Sequence, residues 1–171
     1  MIDDELRAAA VRVLDACKAR ALTVATAESC TGGLVSGALT EIAGSSSVVL
    51  CGFVTYSNGA KERMLGVPAE TLARHGAVSH ETAVAMADGA LAHSPADLAV
   101  AITGIAGPGG GSAEKPVGLV HFAAASRAGH RLARELRFGD LGRGEVRRRS
   151  VLMALDLLEA LARPDVVRHV L

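Results

Sequence analysis

Apolar residues near the start of the chain recur at intervals of three and four positions, which predicts an amphipathic helix that ends near Lys18-Ala19-Arg20. Its apolar positions are Leu6, Ala9, Ala10, Val13, Leu14 and Cys17. Residues 22–25 then indicate a short buried strand, and helical spacing returns over 34–42. This order of helix, strand and helix is typical of an α/β protein.

The rest of the chain continues the alternation and then ends in a hairpin. Strands are predicted at 48–56 and 98–105, short helices at 61–65 and between Pro68 and Gly76, and a longer helix from Ser79 to Ser94-Pro95. Two further strands, 117–125 and 131–138, are joined by Ala128-Gly129, and a last helix covers 143–161. We therefore predict a three-layer α/β/α sandwich with a mixed, largely parallel sheet, in a single domain that spans residues 1–171.

Composition favours a small-molecule partner. A chain of 171 residues, 50% of them hydrophobic, can bury one core. Eighteen basic residues balance eighteen acidic ones, which argues against binding to nucleic acid or to an anionic membrane. The acidic start, Asp3-Asp4-Glu5, and the lack of an apolar run of membrane-spanning length lead us to expect a cytoplasmic protein. Cys17, Cys30 and Cys51 are odd in number and widely spaced, so we expect reduced thiols.

Three polar segments each follow a predicted strand directly. They are the run Thr-Ala-Glu-Ser-Cys-Thr-Gly-Gly at 26–33, the Tyr56-Ser57-Asn58 break and the glycine-rich loop 104–112. Glu28, in the first segment, flanks a buried strand and can orient other groups. Ligands of open α/β sheets bind at the carboxyl ends of the strands, so parallel strands would bring the three segments to one edge of the sheet.

Ser29 lies where a strand ends and a helix begins. Its hydroxyl can act as a nucleophile there, and the N–H groups at a helix N-terminus favour an oxyanion or a phosphate, whereas the alternative is that Ser29 or Thr31 only caps the helix. No His-Asp pair accompanies the serine at a recognisable spacing. Lys61 can serve as the base if burial lowers its pKa, or else it is an exposed surface lysine. Tyr56 is either a strand residue or a proton relay, and Cys30 is either a nucleophile or a small buried residue.

The glycine-rich loop has neither the lysine of a Walker A motif nor the spacing of a dinucleotide-binding motif. It can form a nest of backbone N–H groups for an anion, with Ser112, Lys115, Arg143 and Arg147 as side-chain donors. Arg143 and Arg147 are one helical turn apart, and the alternative for this arginine cluster is a solvated helix face. The histidines show no metal-ligand spacing, so no metal is expected.

Three long motifs occur in order along the chain. They are the run 26–33, the run Gly-Phe-Val-Thr-Tyr-Ser-Asn at 52–58 with Lys61, and the run 103–118 that begins Thr-Gly-Ile-Ala-Gly-Pro and ends Glu-Lys-Pro-Val-Gly. Together they resemble the C-terminal domain family of the competence/damage-inducible protein CinA, over essentially the whole chain. The resemblance implies that Ser29 is a nucleophile and Lys61 its base, with Tyr56 beside them.

The resemblance also implies a substrate site. Its candidate residues are Cys30, Thr31, Gly32, Gly33, Thr103, Gly104, Gly107, Gly109, Gly110, Ser112 and Arg147. Backbone N–H groups near Cys30 and Thr31 are expected to hold an oxyanion, and the glycine loop and Arg147 to hold a ribose phosphate. Arg143 matches the family less securely than Arg147, because Asp140-Leu141-Gly142 makes the preceding segment slightly longer than usual.

The implied activity is that of a nicotinamide-nucleotide amidase, which hydrolyses nicotinamide mononucleotide to nicotinate mononucleotide and ammonia through an acyl-enzyme. No organic cofactor is expected, and the resemblance is compatible with a homodimer. Two alternatives stay open at this point. One is a non-catalytic protein that binds a phosphate-bearing nucleotide, and the other is an amidase for a different small amide.

Overall fold

The structure, a computed structural model, describes residues 2–163 of the protein. Its elements along the chain are α1 (Asp4–Ala19), β1 (Val24–Glu28), α2 (Leu34–Thr40), β2 (Val49–Val54), α3 (Asn58–Leu65), α4 (Ala69–His75), α5 (His80–Ala92), β3 (Leu98–Gly104), β4 (Leu119–Ser126), β5 (Arg131–Arg137) and α6 (Arg143–Ala162). The predicted domain limits at residues 1 and 171 lie outside this range. Over residues 2–163, none of the helices combines the length and the apolar character that crossing a membrane requires.

The five strands form one mixed sheet in the order β2-β1-β3-β4-β5. Strand β1 lies in the middle of the parallel part, because it pairs in parallel with β2 on one side and with β3 on the other. Strands β3, β4 and β5 pair antiparallel, and β4 and β5 form the predicted hairpin. The mixed α/β/α sandwich is thus confirmed, and the ends of β1, β2 and β3 meet at one edge of the sheet.

The two faces of the sheet carry different side chains because successive strand residues point to opposite sides. On β3, Leu98, Val100 and Ile102 pack in a core with α1, α2 and α6. The alternate residues Ala99 and Ala101 pack in a second core with α3, α4 and α5. Small side chains on the second face let helices approach closely, and the helices there contact one another as well as the sheet.

Helix boundaries differ from the sequence prediction mainly at α3. The predicted break Ser57-Asn58-Gly59 is the start of this helix, which begins at Asn58 rather than at Lys61. The reason is a cap: the Ser57 hydroxyl accepts a hydrogen bond from the Ala60 N–H at 3.1 Å. Lys61 consequently lies in the first turn of α3, directly beyond the end of β2.

Two helical glycines provide a matched test of the close packing between α3 and α5. A methyl group added at Gly89 of α5 would come within 2.0 Å of the Leu65 carbonyl oxygen, whereas one added at Gly37 of α2 meets no atom within 4 Å. We expect Gly89→Ala to destabilise the protein by about 2 kcal/mol or more through overpacking. Gly37→Ala should stabilise it by up to about 1 kcal/mol, because alanine is the better helix former. Urea unfolding of both variants measures the difference, and equal effects would contradict the packing described.

Candidate active site

The turn between β1 and α2 holds Ser29 at the edge of the sheet. The Ser29 N–H donates to the Ile102 carbonyl oxygen of β3 at 3.0 Å. This hydrogen bond continues the pairing of β1 with β3 by one residue. Gly32 and Gly33 then have φ values of +60° and +98°. Two successive residues in the left-handed region favour glycine, because a Cβ is strained there. The Gly-Gly pair is therefore what lets the chain turn from β1 into α2.

A buried carboxylate already occupies the N-terminus of α2. Glu28 accepts hydrogen bonds from the N–H groups of Gly33 at 3.0 Å, Val35 at 3.1 Å and Ser36 at 2.9 Å. These three N–H groups are therefore not free to bind an oxyanion or a phosphate. The expectation that the Gly33 N–H binds such a group is wrong, because Glu28 already occupies it. The capping alternative is also wrong, since the helix N-cap is Gly33 and neither Ser29 nor Thr31 supplies a side-chain cap.

Lys61 is buried beside Ser29. Its Nζ lies 3.1 Å from the Ser29 Oγ and donates to the Thr55 carbonyl oxygen at 2.7 Å. Only 1% of Lys61 is exposed, so the surface-lysine alternative is wrong. The sheet brings the two residues together, because β1 and β2 are parallel neighbours. A hydrogen bond of 2.8 Å from the Thr55 N–H to the Glu28 carbonyl oxygen links the ends of the two strands.

Burial without a counter-charge sets the protonation of Lys61. Within residues 2–163, its amine takes part in none of the ion pairs. Desolvation therefore lowers the pKa of Lys61 from its ordinary value. A neutral amine can donate to the Thr55 carbonyl and accept the proton of the Ser29 hydroxyl, which is the arrangement that activates a serine nucleophile.

The neighbouring cysteine is not suited to nucleophilic attack. Cys30 is buried, and burial raises the pKa of its thiol to about 12. A thiol attacks as the thiolate, so this sulfur is unreactive near neutral pH. Cys30 is therefore better described as a small buried residue that forms part of the wall next to Ser29.

A cavity of about 270 Å³ opens beside the serine and lysine. The predicted site residues that line it are Ser29, Cys30, Tyr56, Lys61, Thr103, Gly104, Gly107, Gly109 and Gly110. Ile105 and Ala106 of the predicted glycine-rich loop line it as well. Two lining residues, Ala77 and Val78, were missed from the sequence, because apolar side chains carry no chemical signal of a site. Thr103 also helps to build the wall, since its hydroxyl donates to the Ala77 carbonyl oxygen at 2.7 Å.

Four of the remaining predicted residues, Thr31, Ser112, Gly32 and Gly33, lie away from this cavity lining. Thr31 is fully buried in the turn, and its hydroxyl finds no hydrogen-bond partner among the described residues. Ser112 closes a small turn, because its hydroxyl accepts from the Lys115 N–H at 3.0 Å while its own N–H donates to the Lys115 carbonyl at 2.8 Å. Gly32 and Gly33 shape the turn behind Ser29 rather than the cavity wall.

The two predicted arginines of α6 have different surroundings. Arg143 lines the cavity, where its guanidinium donates to the Gly107 carbonyl oxygen at 3.0 Å and to the Tyr56 hydroxyl at 2.9 Å. Arg147, which the sequence favoured as a phosphate ligand, instead donates to the carbonyl oxygens of Cys30 and Thr31, both at 3.1 Å. Neither arginine is part of a merely solvated helix face, and the arginine at the cavity is Arg143.

The described residues 2–163 contain no cluster of three or more histidine, cysteine or acidic side chains that could hold a metal ion. What they do contain is an α/β/α sandwich whose parallel strands end in a serine paired with a buried lysine beside a small cavity. A fold and site of this kind define the class of α/β proteins whose candidate ligand site lies at the carboxyl ends of parallel strands.

The family follows from comparison with known proteins. The model of the CinA C-terminal domain matches residues 6–162, and the chain therefore belongs to the CinA C-terminal domain family. This confirms the resemblance stated on the motifs.

Relatives match both the sequence and the fold. Nicotinamide-nucleotide amidohydrolase PncC of Escherichia coli K12 is 55% identical over 159 residues, which are 92% of this chain and 95% of that protein. The crystal structure of competence/damage inducible protein CihA from Agrobacterium tumefaciens is 57% identical, with a TM-score of 0.94 over 95% of this chain and 99% of that one. A CinA-like protein of Mycobacterium sp. (strain JLS) is 56% identical over 80% of this chain but only 32% of its own length, so similar domains also occur in longer proteins.

The lowered pKa of Lys61 predicts a pH-dependent stability difference that needs no substrate. In the unfolded chain the amine titrates near its ordinary value of 10.5, and in the folded protein it titrates lower. Between those two pKa values the unfolded state binds more protons, so wild-type stability rises with pH there. We expect Lys61→Met, which cannot titrate, to be most stable relative to wild type at neutral pH and to lose that advantage as the pH approaches 10.5.

Urea unfolding across this pH range measures the difference, and the exposed Lys18 provides the matched control as Lys18→Met. A wild-type minus Lys61→Met difference that stays constant with pH would contradict a lowered pKa for Lys61.

Proposed function

We propose that this protein hydrolyses the carboxamide of nicotinamide mononucleotide to nicotinate mononucleotide and ammonia, with Ser29 as nucleophile and Lys61 as general base. The observation that carries the proposal is the contact of 3.1 Å between the Lys61 amine and the Ser29 hydroxyl at a buried position. The substrate is inferred from the 55% identity to the Escherichia coli protein named nicotinamide-nucleotide amidohydrolase.

In the first half of the proposed reaction, neutral Lys61 accepts the Ser29 proton while the serine oxygen attacks the carboxamide carbon. The negative charge moves to the carboxamide oxygen, for which the N–H groups of Cys30 and Thr31 are candidate donors. Among residues 2–163, neither N–H donates to a protein acceptor. The Lys61 ammonium then protonates the amide nitrogen, the carbon–nitrogen bond breaks, and ammonia leaves an ester on Ser29.

In the second half, a water molecule takes the place of ammonia. Lys61, neutral again after giving up its proton, accepts a proton from this water as its oxygen attacks the ester carbon. The ester bond breaks, the proton returns to the Ser29 oxygen, and the product is a carboxylic acid that ionises at neutral pH. The Thr55 carbonyl holds the amine in place through both halves, since the N–H that Nζ donates to it at 2.7 Å is not the proton exchanged with Ser29, the leaving group or water.

The phosphate of the nucleotide is proposed to bind at the glycine loop and Arg143. Arg143 is the arginine at the cavity, and a guanidinium can bind a phosphate through two parallel hydrogen bonds. Gly107, Gly109 and Gly110 line the same wall, where the lack of side chains leaves backbone groups accessible. A cavity of about 270 Å³ lies near the lower end of ligand pocket sizes, which suits a mononucleotide better than a polymer.

Four further predictions concern the setting and the details of this reaction. The cytoplasmic location, the homodimer and the acyl-enzyme stay predictions, and so does the role of Tyr56 as a proton relay. The hydrogen bond of Tyr56 to Arg143 supports a second task for the phenol, which is to orient the guanidinium toward the phosphate.

Replacing the nucleophile tests the proposal directly. Ser29→Ala should reduce ammonia release from nicotinamide mononucleotide by about a thousandfold or more, because no hydroxyl remains to form the ester. Lys61→Met should cause a loss of similar size, since the serine then has no base. Ser47, an exposed serine outside the cavity lining, provides the control as Ser47→Ala.

Ammonia is measured by a coupled assay, and added hydroxylamine should divert part of the product to the hydroxamate if Ser29 carries an acyl group. Full turnover by Ser29→Ala would show that Ser29 is not the nucleophile. Nucleotide binding by the wild-type protein without ammonia release would favour the non-catalytic alternative. Faster turnover of free nicotinamide than of its nucleotide would favour an amidase for another small amide.

Arg143 should control affinity for the phosphate. Arg143→Gln removes a charge-assisted contact, so KM for nicotinamide mononucleotide should rise about tenfold or more, while KM for nicotinamide riboside, which lacks the phosphate, should change little. Arg149, which pairs with Glu145 on the same helix, provides the control as Arg149→Gln. Equal changes in KM for the two substrates would contradict the assignment of Arg143 to the phosphate.

A further inference from the structure

Arg147 reaches the turn that carries Ser29 without facing the cavity in which Ser29 lies. It comes from α6, and its guanidinium donates to the carbonyl oxygens of Cys30 and Thr31, both at 3.1 Å. It lines a separate cavity of about 270 Å³, which is bounded in part by Leu6 and Leu34. Arg147 thus hydrogen-bonds to the backbone of the turn from outside the candidate substrate site.

We infer that Arg147 is a positioning residue for the proposed hydrolysis: it fixes the peptide groups after Ser29 so that backbone N–H groups stay aimed at the oxyanion. This inference rests on the proposed function, because that function supplies the substrate. The contacts of Arg147 with the turn do not depend on it. It differs from the prediction that Arg147 binds the ribose phosphate, and the two roles have different experimental consequences.

Peptide geometry explains how a side chain bound to carbonyls can orient N–H groups. The peptide group is planar and trans, so the Cys30 carbonyl and the Thr31 N–H lie in one plane and point in opposite directions. A guanidinium that holds the Cys30 carbonyl therefore turns the Thr31 N–H away from itself. Among residues 2–163 this N–H donates to no protein acceptor.

A buried carboxylate holds the other end of the same turn. Glu28 accepts from the N–H groups of Gly33, Val35 and Ser36, while Arg147 donates to the carbonyls of Cys30 and Thr31. The Glu28 carboxylate thus binds N–H groups and the Arg147 guanidinium binds carbonyl oxygens of the same segment, residues 30–36. Contacts of both kinds leave the peptide planes of this segment little freedom to rotate. Preorganised donors stabilise a developing oxyanion most, because they do not have to reorient during the reaction.

The guanidinium is the right group for this task. Its planar fork supplies two N–H donors at fixed spacing, here used on two successive carbonyls, and it keeps its charge at any physiological pH. A methyl group added at Gly32 would lie 3.4 Å from an Arg147 nitrogen, so the guanidinium packs directly against the turn. A lysine at this position would carry the same charge but could not reproduce the fork.

The test compares two variants of Arg147 on a substrate with a phosphate and on one without it. Arg147→Gln and Arg147→Lys are assayed on nicotinamide mononucleotide and on nicotinamide riboside. We expect kcat to fall about a hundredfold for both substrates and in both variants, with KM changed less than about threefold, because misplacing an oxyanion donor costs about this much. Arg143→Gln, which we expect to raise KM for the nucleotide alone, and the control Arg149→Gln complete the set. Circular dichroism and urea unfolding show that each variant is folded.

Each outcome either supports or overturns the inference. A rise in KM confined to the nucleotide would make Arg147 a phosphate ligand. Recovery of kcat by Arg147→Lys would show that charge alone matters, and an unchanged kcat would show that the contacts are dispensable; either result overturns the positioning role. If Arg147→Gln does not fold, Arg147→Lys keeps the charge and the alkyl stem and decides the matter.

A second measurement separates the inference from the proposed function. If wild type releases ammonia from neither compound, the proposed function fails, and hydrogen exchange then tests the geometry alone. Backbone amides of 29–36 should exchange at least tenfold faster in Arg147→Gln than in Arg149→Gln, with the rest of the chain unchanged. Equal exchange in the two variants would overturn the inference.

Discussion

A lysine amine buried next to a serine hydroxyl is the interaction on which the rest of this molecule depends. An ammonium ion is costly to bury without a counter-ion, and the described residues give Lys61 a carbonyl and a hydroxyl but no carboxylate. Burial therefore lowers the pKa of the amine and makes its neutral form more accessible, and in our proposal this neutral form removes a proton from Ser29. In our proposal, the same burial that disfavours the charge in the folded state is what lets Lys61 act as the base for Ser29.

The sheet provides the geometry for this pair. Strands β1 and β2 run in parallel as neighbours, so their carboxyl ends place the Ser29 turn and the start of α3 side by side. The turn is held from behind by charged groups of opposite sign, Glu28 and Arg147, neither of which lines the cavity. Arg143 is placed at the cavity itself. Charges thus serve two separate purposes around one serine, to fix the backbone and, in our proposal, to recognise the substrate.

Much of this could be predicted from the sequence, for reasons that are local. The alternation of helices and strands predicted the sandwich, and an apolar run followed by Ser29 predicted a serine at the end of a strand. The position of Lys61 shortly after the second predicted strand made it a candidate base, and the family resemblance favoured that role over an exposed lysine. The start of α3 was misplaced because a serine, an asparagine and a glycine indicate a break as readily as a cap, and only the hydrogen bond of Ser57 distinguishes them.

The two arginines show why the remainder could not be predicted. Residues four apart on a helix point in similar directions, so spacing alone suggested similar partners for Arg143 and Arg147. Which one meets the cavity depends on how α6 crosses the sheet and on contacts across more than a hundred residues of sequence. The three donors taken by Glu28 were equally invisible, because they depend on the path of the Gly32-Gly33 turn.

The central claim is that burial lowers the pKa of Lys61 in the folded protein. The chain has only three lysines, Lys18, Lys61 and Lys115, so NMR of protein labelled with ¹³C at the lysine side chains resolves each amine separately, and the Lys61 signal is assigned by its absence in Lys61→Met. We expect this signal to titrate below the ordinary value of 10.5. A Lys61 signal that titrates at or above that value would contradict the account.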